Sequence, residues 1–243
     1  MNTFRGQAAV ITGASGGIGE AIAIQLAREG ARLMLAGRSA ERLAAVAARA
    51  RDLSPGVETF AADLAEDAQV HALAERALAA FGRVDLLIHS IGLFLGGSFE
   101  SSPVEDLDRQ LRVNVHIPYL LTQALLPALI ARQGQVVFVN SSAGFHPARA
   151  GWAAYSASKH ALRALADGLR DEVNRQGVRV ITVFPGRTAT AMQEEVHRFE
   201  GRPYDPERFL QPRDVAAAVL NALSLPRTAE VTDLHIRPMQ GAR

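Results

Sequence analysis

The chain of 243 residues contains no cysteine, one tryptophan and a single lysine. The absence of cysteine excludes disulfides, thiolate catalysis and cysteine-ligated metals, and it agrees with a reducing cytoplasm. An excess of charge of one sign is also lacking, since 26 basic residues stand against 25 acidic ones and the formal net charge is +1. Because no net field would attract nucleic acid or an anionic membrane, we expect a small-molecule partner and no nucleic acid.

Long hydrophobic runs are missing as well. No uninterrupted apolar stretch approaches the roughly 18 residues that a membrane span needs. The segment Met1 to Gly6 leads directly into a strand-like stretch, without the features of a signal sequence. We therefore expect a cytoplasmic protein with no membrane partner. A hydrophobic content of 48% is ample for a buried core.

Short runs of valine, isoleucine and leucine alternate with longer segments of helical period, a pattern typical of βαβ units on a parallel sheet. The predicted strands are Ala8 to Thr12, Arg32 to Ala36, Val57 to Ala61, Val84 to His89, Gln135 to Asn140, Val178 to Val183 and Val231 to Ile236. The predicted helices are Gly17 to Glu29, Ala40 to Asp52, Asp67 to Phe81, Val104 to Arg132, Ala153 to Gln176 and Pro212 to Ser224.

Right-handed crossovers between these elements predict an α/β fold, a Rossmann-type doubly wound sheet of seven parallel strands. The expected strand order is 3-2-1-4-5-6-7, with helices on both faces and residues 1–243 forming a single domain. Ligands bind such sheets at the carboxyl ends of the strands. The least regular stretch, Gly186 to Leu210, is the predicted substrate lid.

The first predicted strand is followed by the glycine-rich stretch Thr12-Gly13-Ala14-Ser15-Gly16-Gly17-Ile18-Gly19 and then by a helix. Gly13 suits the tight turn, Gly17 the close approach of backbone amides to a pyrophosphate, and Gly19 the packing of helix on strand. In this strand–turn–helix context the GxxxGxG spacing predicts a dinucleotide site that also includes Ser15, Gly16 and Ile18. The alternative is an ordinary βα turn.

The second predicted strand ends in Ala36-Gly37-Arg38-Ser39, where NAD-binding proteins carry an acidic residue. Arg38 could form a charge-assisted fork with a 2′-phosphate, and Ser39 could add a hydrogen bond. This favours NADP(H) over NAD(H). The alternative is that Arg38 is one more surface arginine in an arginine-rich chain.

Further candidates follow the third and fourth predicted strands. Asp63, next to Leu64, is placed either to accept a hydrogen bond from an adenine amino group or to cap the next helix. Ser90 and Gly92 come after the fourth strand, and Gly92 would let the backbone approach the adenosine. We expect His89 to pack against a neighbouring strand and not to catalyse.

Tyr155 and Lys159 are four residues apart on a predicted helix, so their side chains project from one face. A phenol has a reference pKa of ~10, which a neighbouring ammonium lowers. We expect Tyr155 to exchange a proton with the reacting oxygen and Ser142 to hydrogen-bond that oxygen, while Asn114 supports a water beside the lysine. The alternative for each is polar capping or solvation.

These motifs occur in a fixed order: TGxxxGxG at Thr12 to Gly19, Asp63, Asn114, Ser142, YxxxK at Tyr155 and Lys159, and Pro185-Gly186. The series resembles the compact form of the short-chain dehydrogenase/reductase family over essentially the whole chain. The resemblance implies an NAD(P)-dependent oxidoreductase with a Ser-Tyr-Lys-Asn tetrad, in which Lys159 also bonds the nicotinamide ribose. It implies that Pro185 and Gly186 lie beside the cofactor and that Thr188 or Thr190 reaches the carboxamide. It further implies a homotetramer, or a homodimer, with an interface on the helices at 104–132 and 153–176.

The chain departs from the family at His89-Ser90-Ile91-Gly92, where Asn-Asn-Ala-Gly is usual. We expect this to change cofactor affinity or local rigidity and to leave the chemistry intact. Residues 230–238 are similar to a branch that acts on varied small alcohols and carbonyls, and they lack the glycine-rich ending of acyl-carrier-protein reductases.

The predicted function is the NADP(H)-dependent interconversion of a small to medium, moderately hydrophobic ketone or aldehyde and its alcohol. The alternatives are a 3-oxoacyl-type reductase, a catalytically silent NADP-binding sensor or scaffold, and a sugar-nucleotide epimerase, which would need an additional domain. We expect no metal. The candidate pocket walls are Phe94, Leu95, Phe145, Trp152, Met192 and Phe199.

Overall fold

A computed structural model describes residues 3–239; Met1, Asn2 and residues 240–243 lie outside the described part. Seven parallel strands form one sheet in the order β3-β2-β1-β4-β5-β6-β7, which confirms the predicted fold class. The strands are β1 (Ala8–Thr12), β2 (Arg32–Gly37), β3 (Val57–Ala61), β4 (Leu86–His89), β5 (Gln135–Val139), β6 (Arg179–Pro185) and β7 (Asp233–Ile236). β1 pairs with both β2 and β4, so the winding direction reverses at β1, where ligand crevices form in such sheets.

Helices cover both faces of the sheet. Within residues 3–239 they are α1 (Gly17–Arg28), α2 (Ala40–Arg51), α3 (Asp67–Phe81), α4 (Val104–Leu111), α5 (Ile117–Ala131), α6 (Ala153–Val173), α7 (Ala191–Phe199) and α8 (Pro212–Leu223). Successive strand residues reach opposite faces. Ile11 of β1 therefore joins one apolar cluster with α1, α2 and α8, while its neighbour Val10 joins a second with α3, α5 and α6.

The helix predicted from Val104 to Arg132 is interrupted. α4 ends at Leu111, a π-helical turn spans Arg112–His116, and α5 follows. A π turn widens the helix locally and is frequent at functional sites. The turn contains Asn114, so the interruption falls on a predicted site residue.

The helical segment Val104–Ala131 is more apolar than the sequence analysis expected of any part of the chain. By length and composition Val104–Ala131 could cross a membrane, with a mean hydropathy of 1.4 over its most apolar window. In the structure 39% of that window is buried within the protein, and Leu121 and Leu125 lie in the core under the sheet. Packing against the sheet accounts for the apolar character of Leu121 and Leu125.

The stretch Gly186 to Leu210, predicted to be irregular, contains α7 and a short 3₁₀ turn at Pro206–Arg208. Thr190 caps α7, because its Oγ1 accepts a hydrogen bond from the Gln193 N–H at 3.2 Å. The glycine and prolines beyond residue 200 obscured this helix in the sequence. The other predicted ends differ from the observed ones by no more than three residues.

Candidate active site

The glycine-rich turn joins β1 to α1 at the carboxyl edge of the sheet. Gly13 has a φ of +68°, and a Cβ at this position would lie 2.5 Å from the carbonyl oxygen of Ser90. A Cβ on Gly19 would lie 2.3 Å from the Gly13 oxygen. The absence of side chains thus lets α1 and the segment after β4 pack directly against the turn.

Gly16 and Gly17 have a different consequence. Gly17 has a φ of +56° and begins α1, whereas Gly16 is extended at φ 171°. A Cβ on Gly16 would meet no atom within 4 Å, although Gly16 lines the cleft above the turn. Its missing side chain therefore leaves room in front of the free N–H groups of the α1 N-terminus.

The cleft above this turn encloses about 290 Å³ and adjoins a side cavity of about 440 Å³. Its lining contains Arg38, Arg42 and Lys159 and, within the described chain, no aspartate or glutamate. An elongated polyanion such as a dinucleotide fits this lining. The predicted cofactor residues that line the cleft are Gly13, Ser15, Gly16, Gly17, Ile18, Arg38, Leu64, Ser90, Gly92, Tyr155, Lys159 and Thr190.

Arg38 lines both cavities and so lies at their junction. Ser39 is the N-cap of α2, and its Oγ accepts a hydrogen bond from the Arg42 N–H at 3.2 Å. Arg42 itself lines the cleft, and the sequence analysis missed it. Its position four residues after Arg38, across the start of a helix, was the sequence feature that could have indicated this role. The end of β2 therefore offers two guanidinium groups to a phosphate.

Asp63 lines the side cavity together with Arg38. Its Oδ1 accepts a hydrogen bond from the Ala65 N–H at 3.1 Å, and the N-cap of α3 is Glu66. The structure thus contradicts the helix-cap alternative for Asp63. Its carboxylate remains at the wall of a cavity continuous with the cleft.

Tyr155 and Lys159 lie on α6 and both line the cleft, as their spacing predicted. Both are buried, with exposures of 6% and 2%. The Lys159 Nζ lies 5.9 Å from the centroid of the Tyr155 ring and 3.4 Å from the Val139 carbonyl oxygen. Burial lowers the pKa of Lys159 to about 8, so the ammonium form still predominates at neutral pH.

The pKa of Tyr155 differs from the sequence expectation. Burial raises the pKa of the phenol, and a hydrogen bond with Ser141 opposes this rise only in part. The expected lowering by Lys159 is not the dominant effect, because the phenolate loses its hydration while the ammonium lies several ångströms away. The phenol therefore carries its proton at neutral pH.

The serine next to Tyr155 is Ser141 and not the predicted Ser142. The Ser141 hydroxyl lies close enough to the phenol to lower its pKa, and it accepts a hydrogen bond from the Ala143 N–H at 3.1 Å. Ser142 begins the 3₁₀ turn Ser142–Gly144 and lines a separate cavity. Ser142 was predicted from its position thirteen residues before Tyr155. That spacing could not reveal the 3₁₀ turn, which directs the side chains of Ser141 and Ser142 to different sides of α6.

Asn140 holds the turn in place, a contribution that the sequence analysis missed. Its Nδ2 donates to the Lys159 carbonyl oxygen at 3.0 Å, and its Oδ1 accepts from the Ser141 N–H at 2.9 Å. A Cβ on Gly144 would lie 2.6 Å from the same Oδ1. The turn after β5 is thereby packed directly on α6. The sequence feature that could have indicated this role was a polar residue at the end of an apolar strand.

Asn114 is fully buried in the π-helical turn behind the cleft. Its Oδ1 accepts from the Leu93 N–H at 2.8 Å, and its Nδ2 donates to the Leu93 carbonyl oxygen and the Ser158 Oγ, both at 2.9 Å. Both of its N–H donors are thus engaged within the protein. This side chain joins the segment after β4 to α6, and its support of a water beside Lys159 stays a prediction.

His89 packs against β5, as predicted. Its ring is stacked on Phe138 with a centroid distance of 5.0 Å, and its Nε2 lies 2.8 Å from the Thr122 Oγ1. Complete burial lowers the pKa of His89 to about 3. The imidazole is therefore neutral and links β4 to α5 and β5.

The segment after β6 separates the residues that the family resemblance grouped together. Thr190 lines the cleft, whereas Thr188 is buried and its Oγ1 donates to the Gly186 carbonyl oxygen at 3.0 Å. Pro185 ends β6, and Gly186 lines the same separate cavity as Ser142. Thr190 is therefore the threonine available to a ligand in the cleft.

Aromatic side chains surround the Tyr155 phenol. Phe94 is buried and contacts Tyr155, Trp152 and Phe199 with ring-centroid distances of 5.2, 4.7 and 5.8 Å. Met192 packs against the same cluster. Four of the six predicted wall residues thus gather at Tyr155. The other two lie apart: the Leu95 N–H bonds Gln110 at 3.0 Å, and Phe145 contacts His235.

Comparisons with known proteins identify the family of this chain. The family pattern described as short chain dehydrogenase matches residues 7–201. An uncharacterized oxidoreductase of Staphylococcus saprophyticus is 32% identical over 98% of this chain and 100% of its own. The alcohol dehydrogenase of the archaeon Thermococcus sibiricus, solved with 5-hydroxy-NADP, superimposes with a TM-score of 0.87 at 29% identity, covering 98% of both chains.

A short-chain dehydrogenase from Burkholderia cenocepacia, solved with NADP, has a TM-score of 0.85 at 32% identity and covers 96% of this chain and 97% of its own. The chain therefore belongs to the short-chain dehydrogenase family, as an oxidoreductase that acts on CH–OH groups with NAD(P).

Proposed function

We propose that the protein is an NADP(H)-dependent carbonyl reductase and alcohol dehydrogenase. The single observation that carries this proposal is the pairing of the buried Tyr155 hydroxyl with the Lys159 ammonium in a cleft whose charged lining residues, within the described chain, are all cations, with Ser141 close enough to the phenol to influence its pKa. When bound, the nicotinamide supplies the hydride and its two electrons. The chain supplies the proton and the environment of the reacting oxygen.

Tyr155 acts as the general acid in the reductive direction. It donates its hydroxyl proton to the carbonyl oxygen as that oxygen gains negative charge, and the phenolate left behind is stabilised by the nearby Lys159 ammonium. Ser141 donates a hydrogen bond to the same oxygen. In the oxidative direction Tyr155 must first lose its proton, and its raised pKa moves that step to more alkaline pH. Asn114 and Asn140 act as positioning residues.

Preference for NADP(H) rests on Arg38 and Arg42. Both line the cleft at the end of β2, where a carboxylate would favour the unphosphorylated ribose of NAD(H). Two guanidinium groups favour a 2′-phosphate through charge-assisted, bidentate hydrogen bonds. The NADP found in solved relatives supports the same assignment.

The proposed substrate is a small to medium ketone or aldehyde with a moderately hydrophobic body. The aromatic cluster of Phe94, Trp152 and Phe199 together with Met192 supports this, since it forms an apolar surface around the Tyr155 hydroxyl. We further propose that residues 1–243 act as one domain and that the enzyme is a cytoplasmic homotetramer or homodimer. Static light scattering would distinguish these assemblies.

A panel of aliphatic and aryl ketones and aldehydes, assayed with NADPH and with NADH, tests the function. We expect turnover with NADPH on at least one apolar carbonyl and a lower kcat/KM with NADH. Tight NADPH binding without turnover on any carbonyl or alcohol of the panel would instead establish a sensor or scaffold.

A further inference from the structure

A second cavity lies beside the first turns of α6 and encloses about 460 Å³. It shares no lining residue with the dinucleotide cleft. Its walls come from the turn after β5, the start of α6, the end of β6 and the segment after β7. The lining residues are Ser142, Ala143, His146, Pro147, Arg149, Trp152, Ser156, Phe184, Gly186, Arg187, His235, Ile236, Arg237 and Pro238.

The helical repeat of α6 explains why the two cavities are separate. Tyr155 and Lys159 face the dinucleotide cleft, whereas Trp152 and Ser156, also four residues apart, face the second cavity. The same division occurs after β5, where Ser141 acts on the Tyr155 phenol and Ser142 lines the second cavity. The start of α6 is therefore a wall with a binding surface on each side.

The charge of the second cavity resembles that of the dinucleotide cleft. Its lining contains Arg149, Arg187 and Arg237 and, among residues 3–239, no aspartate or glutamate. The cavity next to the cleft differs, since it mixes Asp63 and Asp108 with its arginines. The second cavity thus shares a basic lining without carboxylates with the dinucleotide cleft.

The three arginines are not equivalent. Arg187 is committed to Glu200, whose carboxylate oxygens lie 2.7 and 2.8 Å from its Nη2. Within the described chain no ion pair involves Arg149 or Arg237, and both are exposed at the mouth of the cavity. These two guanidinium groups are available to an external anion.

The interior of the cavity is partly apolar. Phe184 is almost completely buried and Trp152 is half-buried, and the two rings border the same space as Ser142 and Ser156. A volume of this size accommodates an organic molecule of modest size and not only an inorganic ion.

We infer that this second cavity is a binding site for a small organic acid, distinct from the dinucleotide cleft. The apolar body of the ligand lies against Trp152 and Phe184, and its carboxylate binds Arg149 and Arg237. Planar guanidinium groups match a carboxylate in geometry as well as in charge. Trp152 also contacts Tyr155 at a ring-centroid distance of 5.8 Å, so the ligand borders the packing of the catalytic phenol.

The experiment uses benzoate as the probe and benzamide as its neutral counterpart. Trp152 is the only tryptophan of the chain and lines this cavity, so its fluorescence responds to a ligand there. Because Trp152 also contacts Phe94 beside the Tyr155 phenol, the variants of Arg149 and Arg237 decide on which side the probe binds. We expect a saturable fluorescence change with benzoate in the intact protein and affinity at least about tenfold weaker for benzamide, because the charge-assisted hydrogen bonds are lost. Saturating NADP⁺ should leave the benzoate affinity within about twofold, since the two sites share no residue.

Arg149→Gln and Arg237→Gln are expected to weaken benzoate binding by about tenfold each. The matched control Arg51→Gln removes an exposed arginine on α2, away from the cavity, and should bind benzoate like the wild type. Loss of benzoate binding on addition of NADP⁺ would place the probe in the dinucleotide cleft and overturn the inference. Equal binding of benzoate and benzamide, or equal binding by all three variants, would overturn it as well.

Discussion

The hydroxyl of Ser141 acts on the phenol of Tyr155 and lowers its pKa, while the next residue, Ser142, lines a cavity on the other side of α6. One turn of 3₁₀ helix after β5 thus separates two adjacent serines into two environments. The turn brings together the proposed proton donor and the side chain proposed to hold the reacting oxygen, and Asn140 holds the turn on α6.

The two serines therefore predict different mutant behaviour. Ser141→Ala should lower kcat by about 10²-fold, the loss typical of one hydrogen-bond donor to a developing oxyanion. Ser142→Ala is the matched control and should retain kcat within about threefold, because its hydroxyl lies outside the reaction site. Steady-state kinetics with a saturating carbonyl and NADPH would measure both, and a larger loss for Ser142→Ala would contradict the assignment.

Tyr155→Phe removes the transferred proton and leaves the ring in place. We expect a loss of about 10³-fold or more in kcat with NADPH affinity nearly unchanged, since the hydroxyl acts in proton transfer. Tyr119→Phe, on the exposed side of α5, serves as the control and should leave kcat unchanged. Stopped-flow turnover and NADPH fluorescence titration give the two quantities. Full activity of Tyr155→Phe would refute its role as acid.

Arg38→Asp should reverse the cofactor preference. An aspartate at the end of β2 repels a 2′-phosphate and accepts hydrogen bonds from the ribose hydroxyls of NADH. The ratio of kcat/KM for NADPH to that for NADH is expected to fall by about 10²-fold or more, and Arg42→Gln should lower it by about tenfold. The exposed Arg51→Gln should leave it unchanged. An unaltered ratio in Arg38→Asp would contradict the proposed preference.

Substitution by alanine is expected to affect stability at Gly13 and cofactor affinity at Gly16. Gly13→Ala places a methyl group against Ser90 at a left-handed φ and should cost about 2 kcal/mol or more of unfolding free energy. Gly16→Ala meets no protein atom, so stability should hold while NADPH affinity falls, because the methyl group enters the cleft. Urea unfolding and cofactor titration separate the two effects. Unimpaired cofactor affinity in Gly16→Ala would show that the ligand lies elsewhere.

His89 should make the protein sensitive to acid. Its pKa is about 3 in the folded state and about 6.5 unfolded, so between these values the unfolded state binds more protons. The stabilisation is therefore complete above pH 6.5 and declines as the pH falls, by about 2 kcal/mol from pH 7 to 5.

His89→Asn should remove this part of the pH dependence, as followed by urea unfolding at several pH values. The control His71→Gln replaces an exposed imidazole on α3 and should keep the wild-type dependence. Identical curves for the wild type and His89→Asn would contradict the buried, neutral state of His89.

The sheet could be predicted because its signals are local. Apolar runs such as that at β1 and the glycine positions after it depend only on the nearest residues along the chain. α7 was missed because the role of its apolar side chains, such as Val196, depends on the residues they pack against in the fold. The π turn at Asn114 was hidden for a related reason, since the bonds that occupy the asparagine come from Leu93 and Ser158.

The sequence by itself determined the order of the strands, the glycine-rich turn and the pairing of Tyr155 with Lys159, because helical and strand periods translate spacing directly into shared faces. Only the tertiary structure decided that Ser141 lies at Tyr155 and that burial raises the pKa of the phenol. Both depend on how separate segments pack and on the loss of water between them, which local spacing does not encode.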